Sequence, residues 1–485
     1  MTSPTPDAPG APDVLAELRS LQRADLPVQG GRTLAYVYDS GLAEVDRVGR
    51  EAVAAYAGSN GLDPTAFPSL LRMENDLVAF AACLLDAPAT VVGSVTSGGT
   101  ESVLLAVQAA RDARPDVARP SMVLPATAHA AFHKAAHYFS VEARLVPVGP
   151  DHRADVAATE AAIDESTVLV VASAPSYAHG VVDPVTGLAA LAAARGIRCH
   201  VDACIGGWVL PYAARLGRDV PAWTFAVEGV TSISVDLHKY AYAPKGTSLL
   251  LHRTPALRRP QLFASAAWPG YTMLNPTMQS TRSGGPTAGA WAVVRTLGDA
   301  GYERLTADVL EAVDRIVAGI ADIDGLRLVV EPDSTLVALA TDGTCDAFTV
   351  SDEMVARGWY VQPQMSYAAQ PPTIHLSVSA ATLAGIDDLL VALRESVATA
   401  VAAGPVAVDA GVADYIRSLD PAALTNEEFD GLLAASGLVG EGADGALAVP
   451  ARMAEVNAML DLASPAMREA LLVTFLDRLS RPTTG

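Results

Sequence analysis

Lysine is scarce in this sequence. Of 33 basic residues only three are lysines, Lys134, Lys239 and Lys245. Arginine cannot stand in where a free amine is needed, because the guanidinium keeps its proton at any working pH. Lys239 closes the run Ser234-Val235-Asp236-Leu237-His238-Lys239, after a β-rich stretch. A partly buried lysine near cations is expected to have a lowered pKa and to act as a nucleophilic amine, able to form an imine. His238 beside it is placed to contact an anion. A solvated basic turn is the plain alternative.

Three further runs carry chemistry. Thr96-Ser97-Gly98-Gly99-Thr100-Glu101-Ser102 follows a predicted strand and opens a predicted helix. Its small residues admit a ligand close to the backbone, and a helix N-terminus offers free N–H groups to an anion. Ser97, Gly99 and Thr100 are the candidate donors. This run reads neither GxxxxGK(S/T) nor GxGxxG, so it is not a P-loop or a dinucleotide fingerprint. Asp202, in His200-Val201-Asp202-Ala203-Cys204, ends another predicted strand. It is either a satisfied cap or the partner of a protonated ring nitrogen, which makes a pyridine ring an electron sink. His129, in Ala128-His129-Ala130-Ala131-Phe132, is either structural or a flat ring that stacks on an aromatic ligand. Each run alone fits ordinary structure. All of them at strand ends of one sheet point to one ligand site.

The elements that must hold these residues follow from the pattern. Residues 1–12 read as a loose, disordered tail, and 13–87 as a mostly helical segment with Asp13 as a first cap and breaks at Pro64 and Pro68. From about 88 to 255, within a large domain expected over 88–300, short β-branched runs alternate with helices. Strands are expected at 91–95, 121–124, 144–148, 168–172, 198–201, 232–235 and 247–251, with helices such as 101–114 and 188–195 between them. Such alternation predicts an α/β domain with a mainly parallel seven-stranded sheet covered on both faces. A Pro/Gly-rich connection, 256–285, leads to a helix at 286–297. A small α+β C-terminal domain is expected over 301–404, with strands at 326–330, 335–340 and 373–378 and a helix at 386–401. Residues 405–485 read as a helical, acidic extension.

The net charge of −21 argues against nucleic acid or an anionic membrane as the main partner. The four cysteines fit no zinc spacing and no disulfide framework, and the expected location is a reducing cytoplasm. No signal peptide and no membrane-spanning run are expected.

At these residues the chain resembles the fold type I pyridoxal-phosphate enzymes, and within them the group of amino-acid decarboxylases and sphingosine-1-phosphate lyases. The lyase likeness is the closer one. It rests on VTSGGTES (95–102), AHAAFHKAAHYF (128–139), SAPSYAHGVVDPV (173–185), HVDACIGGW (200–208) and SISVDLHKYAYAPKGTSLLL (232–251). The resemblance implies pyridoxal 5'-phosphate as cofactor and Lys239 as the Schiff-base lysine. It implies Asp202 at the pyridine nitrogen, His129 stacked on the ring, and Gly99, Thr100 and His238 at the phosphate. Arg282-Ser283-Gly284-Gly285 resembles a lyase segment that reaches a neighbouring subunit's cofactor, which implies a homodimer with shared sites and a role for Gly285. Tyr38 falls where lyases carry a catalytic or phosphate-contacting tyrosine, and Lys245 matches a lysine for substrate phosphate.

Two departures bear on the substrate, expected to be a small amine. Asp63 replaces a histidine of the lyase pattern and would repel a substrate phosphate. Met273 occupies the place of a lyase tyrosine, with Tyr271 two residues earlier as its substitute. The implied reaction is retro-aldol cleavage of a phosphorylated amino alcohol to an aldehyde and phosphoethanolamine, with Tyr38, then Tyr271, as proton-handling candidates. Decarboxylation of an L-amino acid is the alternative.

Overall fold

The computed structural model describes residues 11–435 and 452–480. Most of the expected tail, residues 1–10, and part of the expected extension, 436–451 and 481–485, lie outside the described residues.

The large sheet is built from β1 (Val92–Thr96), β2 (Ser121–Pro125), β3 (Glu142–Val146), β4 (Thr167–Ser173), β5 (Arg198–Asp202), β6 (Ser232–Asp236) and β7 (Ser248–His252), in the order β1-β7-β6-β5-β4-β2-β3. Every residue of β2, β4, β6 and β7 is buried. This is why those segments read as continuous apolar runs, as strands covered on both faces do. Adjacent strands pair in parallel except at β7, which is antiparallel to β1 and β6. Residues 237–247 hold no helix, and so short a link returns the chain as a hairpin, since a parallel crossover takes a dozen or more residues. That return loop carries Lys239 and Lys245.

Helices Ala43–Tyr56 and Pro68–Leu84 precede the sheet, and Pro68 opens the second of them, where proline is tolerated. The helix expected at 286–297 starts at Gly285 and runs to Ile320, interrupted at Gly298 (φ 55°, ψ −176°). The connection before it contains a hairpin, Phe263–Ser265 with Met273–Asn275, that its composition concealed. A four-stranded antiparallel sheet follows, ordered Leu326–Leu328, Leu336–Thr341, Thr373–Ser377, Gln362–Gln364. The segment 32–34 is stitched to this unit. Leu34 N–H donates to the Tyr360 carbonyl at 2.8 Å and Ser377 N–H to the Leu34 carbonyl at 2.7 Å. This clamp fixes where Tyr36 and Tyr38 fall.

Four more helices, Ala410–Ser418, Asn426–Ala435, Ala454–Leu462 and Pro465–Leu479, pack through Ile416, Phe429, Met467 and Leu471. Asp352 caps the third of them, accepting from Met453 N at 2.9 Å and Ala454 N at 2.8 Å. Asp461 accepts from Ser366 N at 2.7 Å, and Arg468 donates to the Ser366 carbonyl at 3.2 Å. Among the described residues no helix is long and apolar enough to cross a membrane.

Candidate active site

A cavity of 420 Å³ opens at the carboxyl ends of β1, β4, β5 and β6, where ligands of α/β sheets bind. Ser97, Gly99, Thr100, His129, Asp202, His238, Lys239 and Lys245 all line it.

Lys239 Nζ lies 2.9 Å from Asp236 Oδ2. Asp236 is the last residue of β6, and its side chain is only 2% exposed. Burial works against the Lys239 ammonium, but Asp236, with Tyr38, Cys204 and Asp202, outweighs it and holds the pKa well above the ordinary lysine range. The lowered pKa expected from the sequence is therefore corrected: the dominant neighbour is an anion. No sequence signal had given Asp236 a role. Its place three residues before Lys239 is the trace it left. Its Oδ1 is buried without a hydrogen-bond partner.

Asp202 Oδ1, on β5, accepts from Cys204 N at 3.1 Å and from Ser234 Oγ at 3.4 Å. These bonds fix the carboxylate rim of the cavity. His129 sits between β2 and the helix Ala131–Phe139. Its Nδ1 accepts from Ala131 N at 3.1 Å, which assigns the proton to Nε2 and locks the ring plane. His238 Nδ1 donates to the Thr247 carbonyl at 2.8 Å and leaves Nε2 3.7 Å from Asp236. Burial lowers its pKa, against the pull of Asp236.

The Gly98–Gly99 turn opens the helix Gly99–Asp112. Glu101 takes the Ser97 amide at 2.5 Å and the Met278 amide at 2.8 Å. The amides of Gly99 and Thr100, in the first helical turn, have no intrahelical acceptor. A Cβ on Gly99 would stand 2.8 Å from Cys204 Sγ and 2.9 Å from both Asp236 carboxylate oxygens. Only glycine lets the loop come this close.

Tyr38 joins the site from the N-terminal segment. Burial raises its phenol pKa, while the Lys239 charge pulls it down. Lys245 Nζ stands 4.9 Å over the Tyr38 ring and donates to the Tyr36 carbonyl at 2.8 Å. Burial of the ammonium and then the Lys239 charge lower its pKa to about 8, although the residue as a whole reaches the surface.

Three sequence candidates stand apart from this cavity. Asp63 is exposed and accepts from Thr65 N at 2.8 Å and Thr65 Oγ1 at 2.6 Å, in a local turn. Tyr271 is 57% exposed on the 263–275 hairpin, its carbonyl accepting from Trp268 Nε1 at 2.6 Å. Gly285 begins the long helix, where a Cβ would meet the Val53 carbonyl at 3.0 Å. Among the described residues no group of acidic, histidine and cysteine side chains is arranged to hold a metal ion.

The family described as pyridoxal-dependent decarboxylase conserved domain matches residues 40–341. The chain belongs to this family, with the fold type I architecture, and its cofactor is pyridoxal 5'-phosphate. Within the family, sphingosine-1-phosphate lyases are among its relatives. That of Arabidopsis thaliana is 39% identical over 411 residues, 83% of this chain and 74% of the relative. That of Dictyostelium discoideum is 36% identical over 389 residues, 79% of this chain and 72% of the relative. The solved structure of sphingosine-1-phosphate lyase from Burkholderia pseudomallei K96243 superposes with TM-score 0.78 at 33% identity, covering 83% of this chain and 94% of that one. Glutamate decarboxylase from Lactobacillus brevis CGMCC 1306, at TM-score 0.73 and 18% identity over 83% of this chain and 95% of that one, shares the fold. A second family, the C-terminal putative HTH domain of pyridoxal-dependent enzymes, matches residues 410–478.

The residues present fit the cofactor. The Lys239 amine, a glycine turn at a helix N-terminus for its phosphate, a carboxylate at a strand end and a flat imidazole share one cavity. The protein is a pyridoxal-phosphate-dependent lyase.

Proposed function

We propose that the protein cleaves the C2–C3 bond of a phosphorylated 2-amino-3-hydroxy compound, releasing an aldehyde and phosphoethanolamine. The observation that carries the reading is the convergence of Lys239, Asp202, His129 and the Gly99–Thr100 turn on one cavity, in a chain 39% identical to a sphingosine-1-phosphate lyase over 411 residues.

Lys239 Nζ would hold the cofactor's aldehyde carbon, with Asp202 at its ring nitrogen and His129 on its face. Gly99, Thr100, Ser97 and His238 would hold its phosphate. When bound, pyridoxal phosphate supplies a protonated ring that takes up the electron pair of a bond broken beside the substrate amine. The protein decides which bond that is by fixing the substrate's orientation. Lys245 takes the substrate phosphate at the cavity rim. Lys239 nitrogen, when free, is the stronger base, because Asp236 raises its proton affinity, and it accepts the C3 hydroxyl proton. Tyr38, kept protonated by burial, donates to the carbon left on the amine fragment.

Asp63, Tyr271 and Gly285 are assigned to a neighbouring subunit's site in a homodimer. Exposed apolar side chains on and beside the 263–275 hairpin support such an interface: Phe263, Trp268, Leu274 and Met278 are each 46–58% exposed. An exposed free Cys83 suits a reducing cytoplasm.

Product analysis tests the reaction. Phosphorylated amino alcohols should yield aldehyde and no CO2. Release of CO2 from an amino acid such as aspartate, the substrate named for a Pyrococcus furiosus relative 31% identical over 355 residues, would replace this reading.

Two further outcomes are expected. Tyr38→Phe should keep the cofactor's visible absorption and lose about 10²-fold or more in kcat, the usual worth of a positioned proton donor. Lys245 is charged below about 8, so its hold on the substrate phosphate is present at neutral pH and fades as pH rises. KM should increase by about tenfold above that pKa, as when a hydrogen bond to a charged group is lost. Lys245→Met should have the high KM at all pH values.

A further inference from the structure

The four C-terminal helices line a second cavity, of 450 Å³, open to solvent beside Tyr36 and Leu472. Its walls include Phe429, Leu432, Val456, Met459, Leu460 and Phe475, and it abuts Tyr36, Gln362 and Met365 of the main body. The match to a putative HTH domain would suggest nucleic acid. The same residues 410–478 contain 11 acidic and 4 basic side chains, a net charge of 4 − 11 = −7, which repels a phosphate backbone. Their apolar faces line this cavity instead.

That space borders the catalytic cavity. The Tyr36 carbonyl accepts from Lys245 Nζ at 2.8 Å, and Gln362 Oε1 accepts from the Tyr177 hydroxyl at 2.7 Å. Lys245 and Tyr177 both line the catalytic cavity. One layer of side chains therefore separates a cationic rim from an apolar chamber, the arrangement an amphiphile with one charged end requires. The Asp461 and Arg468 bonds to Ser366 hold the chamber in place beside this layer.

We propose that the C-terminal helical unit seats the hydrocarbon chain of the substrate, a single unbranched alkyl chain whose phosphate end lies at Lys245 and whose tail passes Tyr36 and Gln362 into the chamber. This rests on the lyase reading above.

The test is calorimetric titration of the holoenzyme with n-alkyl phosphates of increasing chain length, below their micelle-forming concentrations. These probes carry phosphate and chain but no amine to react. Affinity should rise by about fourfold per methylene until the chamber is full. Met459→Trp, which occupies the chamber, should weaken long-chain binding at least tenfold and flatten the length dependence. Val456→Phe serves if that variant does not fold, with the cofactor's visible band and thermal melting reporting the fold. Equal affinity across lengths, or native long-chain binding by a folded chamber-filling variant, overturns the proposal. Aldehyde release with no length dependence in binding sinks the chain seat and spares the lyase reading. Length-dependent binding with no aldehyde from any phosphorylated amino alcohol does the reverse.

Discussion

Lys239→Ala protein mixed with pyridoxal phosphate will show no protein-bound visible absorption band, and its turnover will fall by about 10³-fold or more, as expected on losing a covalent anchor. A second effect follows from the ion pair. Without Lys239, the Asp236 carboxylate, 2% exposed, is left buried and unpaired, which costs about 3–5 kcal/mol. The double variant Lys239→Ala/Asp236→Asn should recover most of the lost melting temperature and remain colourless. This separates the stability role of the pair from the chemical role of the amine. A Lys239→Ala protein that takes up colour and turns over normally would remove the assignment.

Asp202→Asn is expected to keep the visible band and to lose about 10²- to 10³-fold in kcat. The carboxylate is needed only while it balances a charged ring nitrogen in the cavity, and losing the partner of a buried charge costs about 3–5 kcal/mol. The comparison is Asp236→Asn, which removes the carboxylate paired with Lys239. If Asp236→Asn abolishes turnover with the band intact, and Asp202→Asn does not, the two carboxylates exchange roles.

Much of the large domain was legible because its strands are buried on both faces. Thr167–Ser173, with every residue buried, cannot be mistaken for a surface segment. That the candidate residues Ser97, Gly99, Thr100, His129, Asp202, His238 and Lys239 share one cavity was legible because they fall at strand ends, where ligands of α/β sheets bind. What escaped notice has physical reasons. Gln362–Gln364 is a strand without a β-branched residue and with Pro363 at its centre, so it pairs by position at the edge of a sheet. The hairpin 263–275 hides in a Pro/Gly-rich stretch whose aromatic side chains remain exposed. The long helix extends beyond the expected 286–297 because the chain resumes helical geometry after Gly298, which itself leaves it. Lys239 was misjudged because the burial depth of Asp236, not its distance along the chain, sets the amine's proton affinity.

The three lysines differ sharply in chemical accessibility. Lys239 is half-buried and paired with a buried carboxylate, Lys134 is exposed with its Nζ 5.4 Å from the Tyr138 ring centroid, and Lys245 is exposed with a pKa near 8. Acylating reagents attack the neutral amine, so under mildly alkaline conditions Lys245 should be modified before the other two. Peptide mapping after brief labelling would reveal that order. A dye or support attached there would stand at the mouth of the catalytic cavity, a single addressable handle that most proteins, dense in surface lysine, do not offer.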